Sequence, residues 1–528
     1  MTLPQSLDSR LRLLGIGLAL LPLVWMAWRF LFVCDDAYIS FRYALNLTEG
    51  LGLAFNAGVD PPVEGYTEFA WVLLMALGIL AGIQPAVLSL LVSGVAGIAL
   101  VLICLRLIER VVDGRILPYL SAALFLGCLP SLAVWASGGL ATMPFSLALL
   151  LCFHALHART GTARTVIATV SAIALVLLRA DGALWVAGCT GPAILVGLLS
   201  KRSELMRAAL MAATGGALTF GAHVAWRFSY YGDWLPNTAR VKLGFSPRAF
   251  DRGWDYIAHY GLTFPGVTLA LVLALVLVRP WRRPMVGYAY LLVFATSGYA
   301  VLVGGDFMAF GRFLVPALPF VVLLWAAAAT ELSRIPVAGL ALAPIVSLML
   351  AIANVLPVQD IHAVPEAWRS AHEFRHNKKP FQTEASSFRS ELEQWRRMDW
   401  QAREWADQGK ALAKYVQPQD TLVLGAVGAV GYYSGLFIYD LNGLVTREVA
   451  LRDPLGVRRS PGHDKTVLPA FFLKDSPTWM YVFFLPGGRQ MPDAYMTDKF
   501  LRIPLEEDYD RVKAGDLLVL QKGPGFKP

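Results

Sequence analysis

Long apolar runs alternate with short charged joints over the first two thirds of the chain. A helix of about 20 apolar residues crosses a bilayer, and about eleven runs approach that length. They lie near residues 12–33, 85–105, 116–135, 141–157, 165–178, 183–199, 208–226, 261–278, 285–303, 312–330 and 336–356. The pattern predicts a polytopic α-helical membrane protein.

The pattern changes near residue 357, where charges become dense and apolar runs shorten to strand length. Residues 366–416 have helical spacing, and short strands such as TLVLGA, WMYVFFLP and DLLVLQK follow. The glycines of GAVGAVGYYSG are too loosely spaced for a nucleotide fingerprint, and no helix clearly follows them. We therefore predict a membrane domain over 1–356 and an α+β soluble domain over 357–528, without a Rossmann site.

The joints between the apolar runs fall into two sets. One set is short and basic, which places it in the cytoplasm by the positive-inside rule. The other set carries acids, aromatics and glycines, and falls on the opposite, outer face together with the soluble domain. The first loop on this face covers about 34–84, and we expect its short apolar piece, Phe69–Gly82, to be an interfacial helix.

Composition supports this class of protein. The chain has 528 residues, is 56% hydrophobic and carries a net charge of +8. The excess positive charge lies in the membrane part, so it indicates topology and not nucleic-acid binding. The five cysteines lie in or beside apolar segments without CxxC spacing, which predicts no disulfide framework.

Asp35 and Asp36 lie where the first apolar run meets the first outer loop. Adjacent acids at this position can simply end a helix at the interface. They can also be functional, because carboxylates at the mouth of a membrane protein are costly to place. A carboxylate kept ionised by a nearby cation can take a proton from an acceptor hydroxyl. We therefore take Asp35 and Asp36 as candidate catalytic residues.

Other polar and aromatic residues on the same face are candidates for binding a sugar or a phosphate. They are Arg42, Glu64, Tyr66, Arg179, Asp181, Tyr231, Asp233, Asn237, Arg240, Lys242, Asp306, Arg312, His463 and Lys465. For the phosphate, the expected order is Arg179, Arg240, Lys242 and Arg312. The structural alternatives are local ion pairs between spans and an interfacial aromatic belt with snorkelling cations.

The order of the motifs resembles a known family. DDAYISFRYA, VEGYTEF, WASGGLAT, LRADG, YYGDWLPNTARVK, GGDFMAFGRF and SPGHDK follow one another as in bacterial GT-C membrane glycosyltransferases. The resemblance is to AftB-type terminal arabinofuranosyltransferases and TfpW-type pilin arabinosyltransferases. One departure is Ala141 in SGGLATM, where the family pattern leads us to expect a glutamate.

The resemblance implies a GT-C fold in the bacterial inner (plasma) membrane, with the active site and the C-terminal domain in the periplasm. It implies that Asp35 and Asp36 are the catalytic acids, with either one as the base. It also implies a polyprenyl-phosphate donor carrying a sugar such as D-arabinofuranose, and a cell-envelope glycan or glycoprotein as acceptor.

Three alternatives stay open at this point: another lipid-linked sugar as donor, a lipid or glycan transporter, and a non-catalytic envelope scaffold. A transporter tends to carry ionisable groups deep within its spans and to have duplicated halves, whereas these acids cluster at one rim. The sequence indicates no cofactor, no nucleic-acid partner and no strong metal-ligand spacing, and a divalent cation stays possible.

Overall fold

The computed structural model describes residues 8–242, 246–335, 339–359, 391–414, 416–453, 464–467, 469–481, 500–502, 509–514 and 517–522. Its membrane part is built from α-helices joined by short loops. They are α1 (Ser9–Arg29), α2 (Asp35–Thr48), α3 (Phe69–Leu80), α4 (Pro85–Val111), α5 (Ile116–Gly127), α6 (Pro130–Trp135), α7 (Thr142–Ala158), α8 (Gly161–Leu178), α9 (Gly182–Leu199), α10 (Ser203–Tyr231), α11 (Asn237–Arg240), α12 (Pro247–Thr263), α13 (Pro265–Leu277), α14 (Pro284–Leu302), α15 (Leu318–Leu332) and α16 (Gly339–Gln359). Two 3₁₀ segments, Pro280–Arg282 and Ala309–Ala317, precede α14 and α15.

Each predicted apolar run coincides with a helix. Among the described residues, eight helices are long and apolar enough to cross a membrane, with the segment Ala309–Leu332 counted as one. Three shorter apolar helices, α3, α5 and α7, pack among them. The chain is therefore a multi-pass membrane protein.

Two predicted spans are broken at prolines. The run 116–135 divides into α5 and α6, and Pro130 begins the second helix. The run 261–278 begins inside α12 and continues as α13 after a bend of 96° at Pro265. A proline has no N–H to donate to the preceding turn, so it begins a new helix instead of continuing the old one.

The two sets of joints lie at opposite ends of the bundle. At one end, basic residues of different joints meet acids of their neighbours, as in the Arg12–Glu109 and Arg283–Asp113 ion pairs. At the other end, the motif loops contact the C-terminal domain, as in the hydrogen bonds from Asn237 to the backbone oxygens of Gly443 and Leu444. This arrangement agrees with the predicted alternation of the loops.

The C-terminal domain is α+β, as predicted. It contains α17 (Glu391–Leu412), β1 (Thr421–Leu424), α18 (Gly428–Ser434), β2 (Phe437–Asp440), α19 (Arg447–Ala450), a 3₁₀ segment (Pro469–Asp475), β3 (Trp479–Tyr481), β4 (Phe500–Arg502), β5 (Tyr509–Ala514) and β6 (Leu517–Lys522). One sheet has the order β2-β1-β3-β4, in which β1 is parallel to β2 and β3. The strands β5 and β6 form an antiparallel pair.

A short helix, α18, lies within the glycine run after β1, and the strand β2 follows it. The helix packs directly on α2 of the first loop. A Cβ atom at Gly428 would overlap the backbone oxygen of Asp35. Glycine therefore permits this close approach, and the contact joins the soluble domain to the membrane bundle.

Candidate active site

A cavity of about 250 Å³ lies where the membrane bundle meets the C-terminal domain. Its lining comes from six parts of the chain that are far apart in sequence: the start of α2, the loop before α3, Leu140 in the loop before α7, the segment around α11, the segment 305–313 and the C-terminal domain. Asp35 and Asp36 both line it. The structure therefore brings the acid pair together with other predicted motifs.

Asp35 is held by the first turn of α18. The backbone N–H groups of Ala429 and Gly428 donate to its two carboxylate oxygens at 2.7 and 3.3 Å. Burial raises the pKa of Asp35, these bonds lower it and the charge of Asp36 raises it, and the net result is a pKa of about 7. A carboxylate with a pKa near neutrality is suited to proton transfer.

Asp36 and Glu68 also lie in the cavity wall. The backbone N–H of Ala141 donates to Glu68 at 3.3 Å. Burial raises the pKa of Glu68, and the charge of Arg312 lowers it in part. Glu68 thus places a carboxylate beside Ala141, the position at which the family pattern leads us to expect a glutamate.

Three cations surround the ring of Phe313. The centroid of the ring lies 5.2 Å from Arg312 Cζ, 5.5 Å from Arg179 Cζ and 5.6 Å from Lys242 Nζ. These distances allow cation–π contacts. We call Arg179, Lys242 and Arg312 the cation cluster.

Two members of the cation cluster are paired with acids. Arg179 donates to both oxygens of Asp181 at 2.8 and 3.1 Å, and Arg312 donates to Asp306 at 2.7 Å. In the described part of the chain, no carboxylate forms a salt bridge with Lys242. Burial lowers the pKa of Lys242, and the charges of Arg179 and Arg312 lower it further. An anion in the cavity would relieve this repulsion.

The glycines before Asp306 allow the 305–313 segment to approach α12. Gly304 and Gly305 have φ angles of +81° and +71°, which favour glycine. A Cβ atom at Gly305 would lie 2.7 Å from the Cβ of Tyr256. Tyr256 in turn accepts a hydrogen bond from the backbone N–H of Phe313 at 3.2 Å, so this packing positions the ring between the cations.

Several predicted residues hold the first loop in place. The buried carboxylate of Glu64 accepts from Arg227 of α10 at 2.5 and 3.3 Å. The hydroxyls of Tyr66 and Tyr231 are 3.1 Å apart, and Tyr231 donates to the backbone oxygen of Leu53. Of these residues only Tyr66 lines the cavity. Arg227, which directly follows the apolar run 208–226, is not among the residues predicted from the sequence.

Other predicted residues join the loop after α10 to the C-terminal domain. Asp233 accepts from Arg240 at 2.6 and 2.5 Å and from Arg447 at 3.1 Å. Asn237 donates to the backbone oxygens of Gly443 and Leu444 at 2.6 and 2.8 Å. Arg240 and its partner Asp233 thus lie outside the cavity lining, whereas Lys242, two residues later, lines the cavity.

Arg42 and Lys465 also contact backbone oxygens of the C-terminal domain. The buried guanidinium of Arg42 donates to Gly431 and Leu436 at 2.5 and 2.6 Å. Burial lowers the pKa of Arg42 to about 9. Lys465 donates to the oxygen of Ala450 at 2.8 Å. His463 lies outside the described residues.

The described residues contain no group of three or more His, Cys, Asp or Glu side chains placed to hold a metal ion. The cavity lining also includes Gln401 and Trp405 of α17, which the sequence analysis did not select. They lie in a charged amphipathic helix, and their spacing alone does not show that this face meets the membrane domain.

Comparison with known proteins gives matches to both parts of the chain. A family model described as a domain of unknown function, DUF8728, matches residues 392–519. The chain is 29% identical over 280 residues to a terminal β-(1→2)-arabinofuranosyltransferase of Mycobacterium tuberculosis, covering 49% of this chain and 43% of the relative. A protein of the same description from Corynebacterium glutamicum is 29% identical over 344 residues, covering 57% and 48%. The chain thus spans less than half the length of these curated relatives.

Solved structures match almost the whole chain. ArnT from Cupriavidus metallidurans bound to undecaprenyl phosphate superposes with a TM-score of 0.52, 14% identity and coverage of 92% of this chain and 93% of that one. Its apo form has a TM-score of 0.54, 13% identity and the same coverage. The chain has the fold of ArnT. The predicted GT-C fold and the resemblance to terminal arabinofuranosyltransferases are therefore confirmed.

Proposed function

We propose that this protein is a glycosyltransferase that moves a sugar, D-arabinofuranose by similarity, from a polyprenyl-phosphate donor to a cell-envelope glycan or glycoprotein. The observation that carries the proposal is the cavity lined by Asp35 and Asp36 together with Lys242 and Arg312 of the cation cluster, where the multi-pass bundle meets the C-terminal domain. The arabinofuranosyltransferase relatives support the sugar. The undecaprenyl phosphate bound to ArnT supports the class of donor.

The cation cluster is the proposed site of the donor phosphate. Negative charge develops on the bridging oxygen as the bond from the anomeric carbon to the phosphate breaks. Fixed cations in a poorly solvated site stabilise such charge. Lys242 is the member best suited to the phosphate, because the paired Arg179 and Arg312 already share their charge with Asp181 and Asp306.

Asp35 is the proposed base in a direct displacement. The acceptor oxygen forms a bond to the anomeric carbon, its proton passes to Asp35, and polyprenyl phosphate leaves. Each oxygen of Asp35 keeps a second lone pair besides the one engaged by α18. The α18 amides fix the direction of the carboxylate as the orienting partner of a base does. Asp36 lies beside the cation cluster. Its negative charge stabilises the positive charge that develops on the sugar as the bond to the phosphate breaks.

We propose that the cavity and the C-terminal domain face the periplasm of a bacterial inner membrane. The basic joints lie at the other end of the bundle, which supports a cytoplasmic location for that end. This orientation would let the donor lipid approach from the outer leaflet with its phosphate at the level of the cation cluster.

The test is a transfer assay on the full-length protein in proteoliposomes. Decaprenyl-phosphate arabinofuranose is compared with polyprenyl-phosphate mannose and glucose, with arabinan oligosaccharides and a pilin peptide as acceptors, and products are identified by mass spectrometry. We expect transfer from at least one lipid-linked sugar, with arabinofuranose preferred. Movement of labelled donor lipid between leaflets without any glycosidic product would instead establish a transporter.

A further inference from the structure

The C-terminal domain supplies a second wall of the cavity, separate from the cation cluster. Met398, Gln401 and Trp405 of α17 line the cavity, and their spacing of three and four residues places them on one face of the helix. The turn after β1, residues 425–427, continues this wall. We call these residues the domain wall.

The domain wall offers an aromatic ring and an amide. Asp440 of the same domain also lines the cavity, but its carboxylate is buried and accepts hydrogen bonds from the backbone N–H groups of Asn442 and Val445. Trp405 and Gln401 are both half-buried. In the described part of the chain, neither the indole N–H nor the side-chain amide forms a hydrogen bond, so both are available to a ligand. Pockets of this kind combine an apolar surface with a few placed polar groups. An indole adds a flat face and one donor, and a glutamine amide both donates and accepts.

Asp35 lies beside the domain wall. Its carboxylate is bonded to Gly428 and Ala429, which directly follow the 425–427 turn. Asp36, by contrast, acts on Arg312 of the cation cluster through its charge. Within the acid pair, Asp35 is therefore the residue beside the domain wall, and Asp36 is the one that interacts with the cation cluster.

We propose that the domain wall is the acceptor subsite and that it holds the terminal sugar of a carbohydrate acceptor. The Trp405 indole stacks on the apolar face of the ring, and Gln401 bonds two of its hydroxyls. This places another hydroxyl of the same ring at Asp35. The inference rests on the proposed transferase function and adds the class of the acceptor: a flat indole face and an amide match the apolar face and the hydroxyls of a sugar ring.

The test measures binding and transfer with the full-length protein in detergent micelles. Calorimetry without donor gives the Kd of synthetic trisaccharides of arabinofuranose, galactofuranose and mannose. The Kd of undecaprenyl phosphate is measured in parallel for the phosphate site. The variants are Trp405→Ala, Trp405→Phe and Gln401→Leu. Trp400→Ala is the matched control, since Trp400 is half-exposed on the same helix and does not line the cavity.

We expect one trisaccharide to bind, with its Kd raised about tenfold or more by Trp405→Ala and several-fold by Gln401→Leu. Trp405→Phe should retain part of the affinity, and the Kd of undecaprenyl phosphate should not change in any variant. Unchanged glycan binding in Trp405→Ala and Gln401→Leu would overturn the proposal. So would the binding of none of the trisaccharides, or Trp405-dependent binding of a serine- and threonine-rich peptide in their place.

The same variants separate this inference from the proposed function. If the wild-type protein transfers sugar but the KM for the acceptor is unchanged in Trp405→Ala, the acceptor subsite is wrong and the transferase stands. If the glycan binds through Trp405 but no lipid-linked sugar is ever transferred, the transferase is wrong and the domain wall remains a glycan-binding site.

Discussion

At the scale of single residues, two adjacent aspartates acquire different environments. Asp35 is bonded to the amides of α18, whereas Asp36 acts on Arg312 through its charge. Two carboxylates whose surroundings differ in this way can take different roles in one reaction. The sequence shows the pair and its position at the membrane surface. It does not show which acid contacts α18, because that helix lies almost 400 positions further along the chain.

The first prediction concerns the pH dependence of transfer. The pKa of Asp35 is raised to about 7, and the ionised form is the base, so kcat should fall about tenfold per pH unit below pH 7. The charge of Asp36 raises this pKa, so Asp36→Asn should move the midpoint of the profile to lower pH. A midpoint that moves upward in Asp36→Asn, or that persists in Asp35→Asn, would contradict the assignment of the base.

The second prediction separates two neighbouring cations. Lys242 lines the cavity without a carboxylate partner in the described residues, whereas Arg240 is paired with Asp233. A hydrogen bond to a charged group contributes about 1.5–3 kcal/mol, so Lys242→Met should raise the KM for the donor by roughly 10- to 100-fold. Arg240→Met is the matched control, and steady-state kinetics with varied donor gives both values. A larger effect from Arg240→Met would move the phosphate site away from the cation cluster.

At the scale of elements, side chains of α2 form hydrogen bonds with the backbone at both ends of α18. Asp35 accepts from its first N–H groups, and Arg42, seven residues later, donates to carbonyl oxygens at its end. The negative carboxylate thus lies at the positive end of the helix dipole and the positive guanidinium at its negative end, and both placements are favourable. From the sequence, Arg42 is a candidate for binding a ligand. In the structure Arg42 contacts the partner helix.

The third prediction tests this contact through Gly428. A Cβ atom there would overlap the Asp35 backbone, so Gly428→Ala should displace α18 and lower transfer by at least 100-fold, through loss of the orientation of the base. Gly94→Ala is the matched control, since a Cβ atom at Gly94 meets nothing within 4 Å. Limited proteolysis should release the C-terminal domain faster from Gly428→Ala. Equal activity and equal cleavage in the two variants would show that the contact is dispensable.

At the scale of the whole molecule, hydropathy is informative because crossing a bilayer imposes a length and a composition on each helix. Each predicted run therefore coincides with a helix, and the loops alternate as the basic residues indicate. The contacts that close the site are different in kind. Glu64 forms an ion pair with Arg227, which lies 163 positions further along the chain, and Trp405 of the C-terminal domain lines the cavity. Such long-range contacts leave no local pattern in the sequence.

The fourth prediction concerns the orientation of the molecule. Single cysteines introduced at the exposed positions Arg403 and Glu448 of the C-terminal domain should react with a membrane-impermeant maleimide in intact spheroplasts. A cysteine at the exposed Lys201 of a basic joint should react only after the membrane is permeabilised. The opposite pattern would place the cavity in the cytoplasm and remove its access to periplasmic acceptors.

The most direct test of the central claim is the mass balance of one turnover in proteoliposomes. Labelled decaprenyl-phosphate arabinofuranose and an arabinan acceptor are supplied to the wild-type protein and to Asp35→Asn, and both products are counted. The account predicts one decaprenyl phosphate released for each sugar joined to the acceptor, with a rate at least 100-fold lower in Asp35→Asn. Transfer at the wild-type rate by Asp35→Asn would contradict the role of this carboxylate as the base. Unchanged donor in the presence of every acceptor would contradict the proposed reaction.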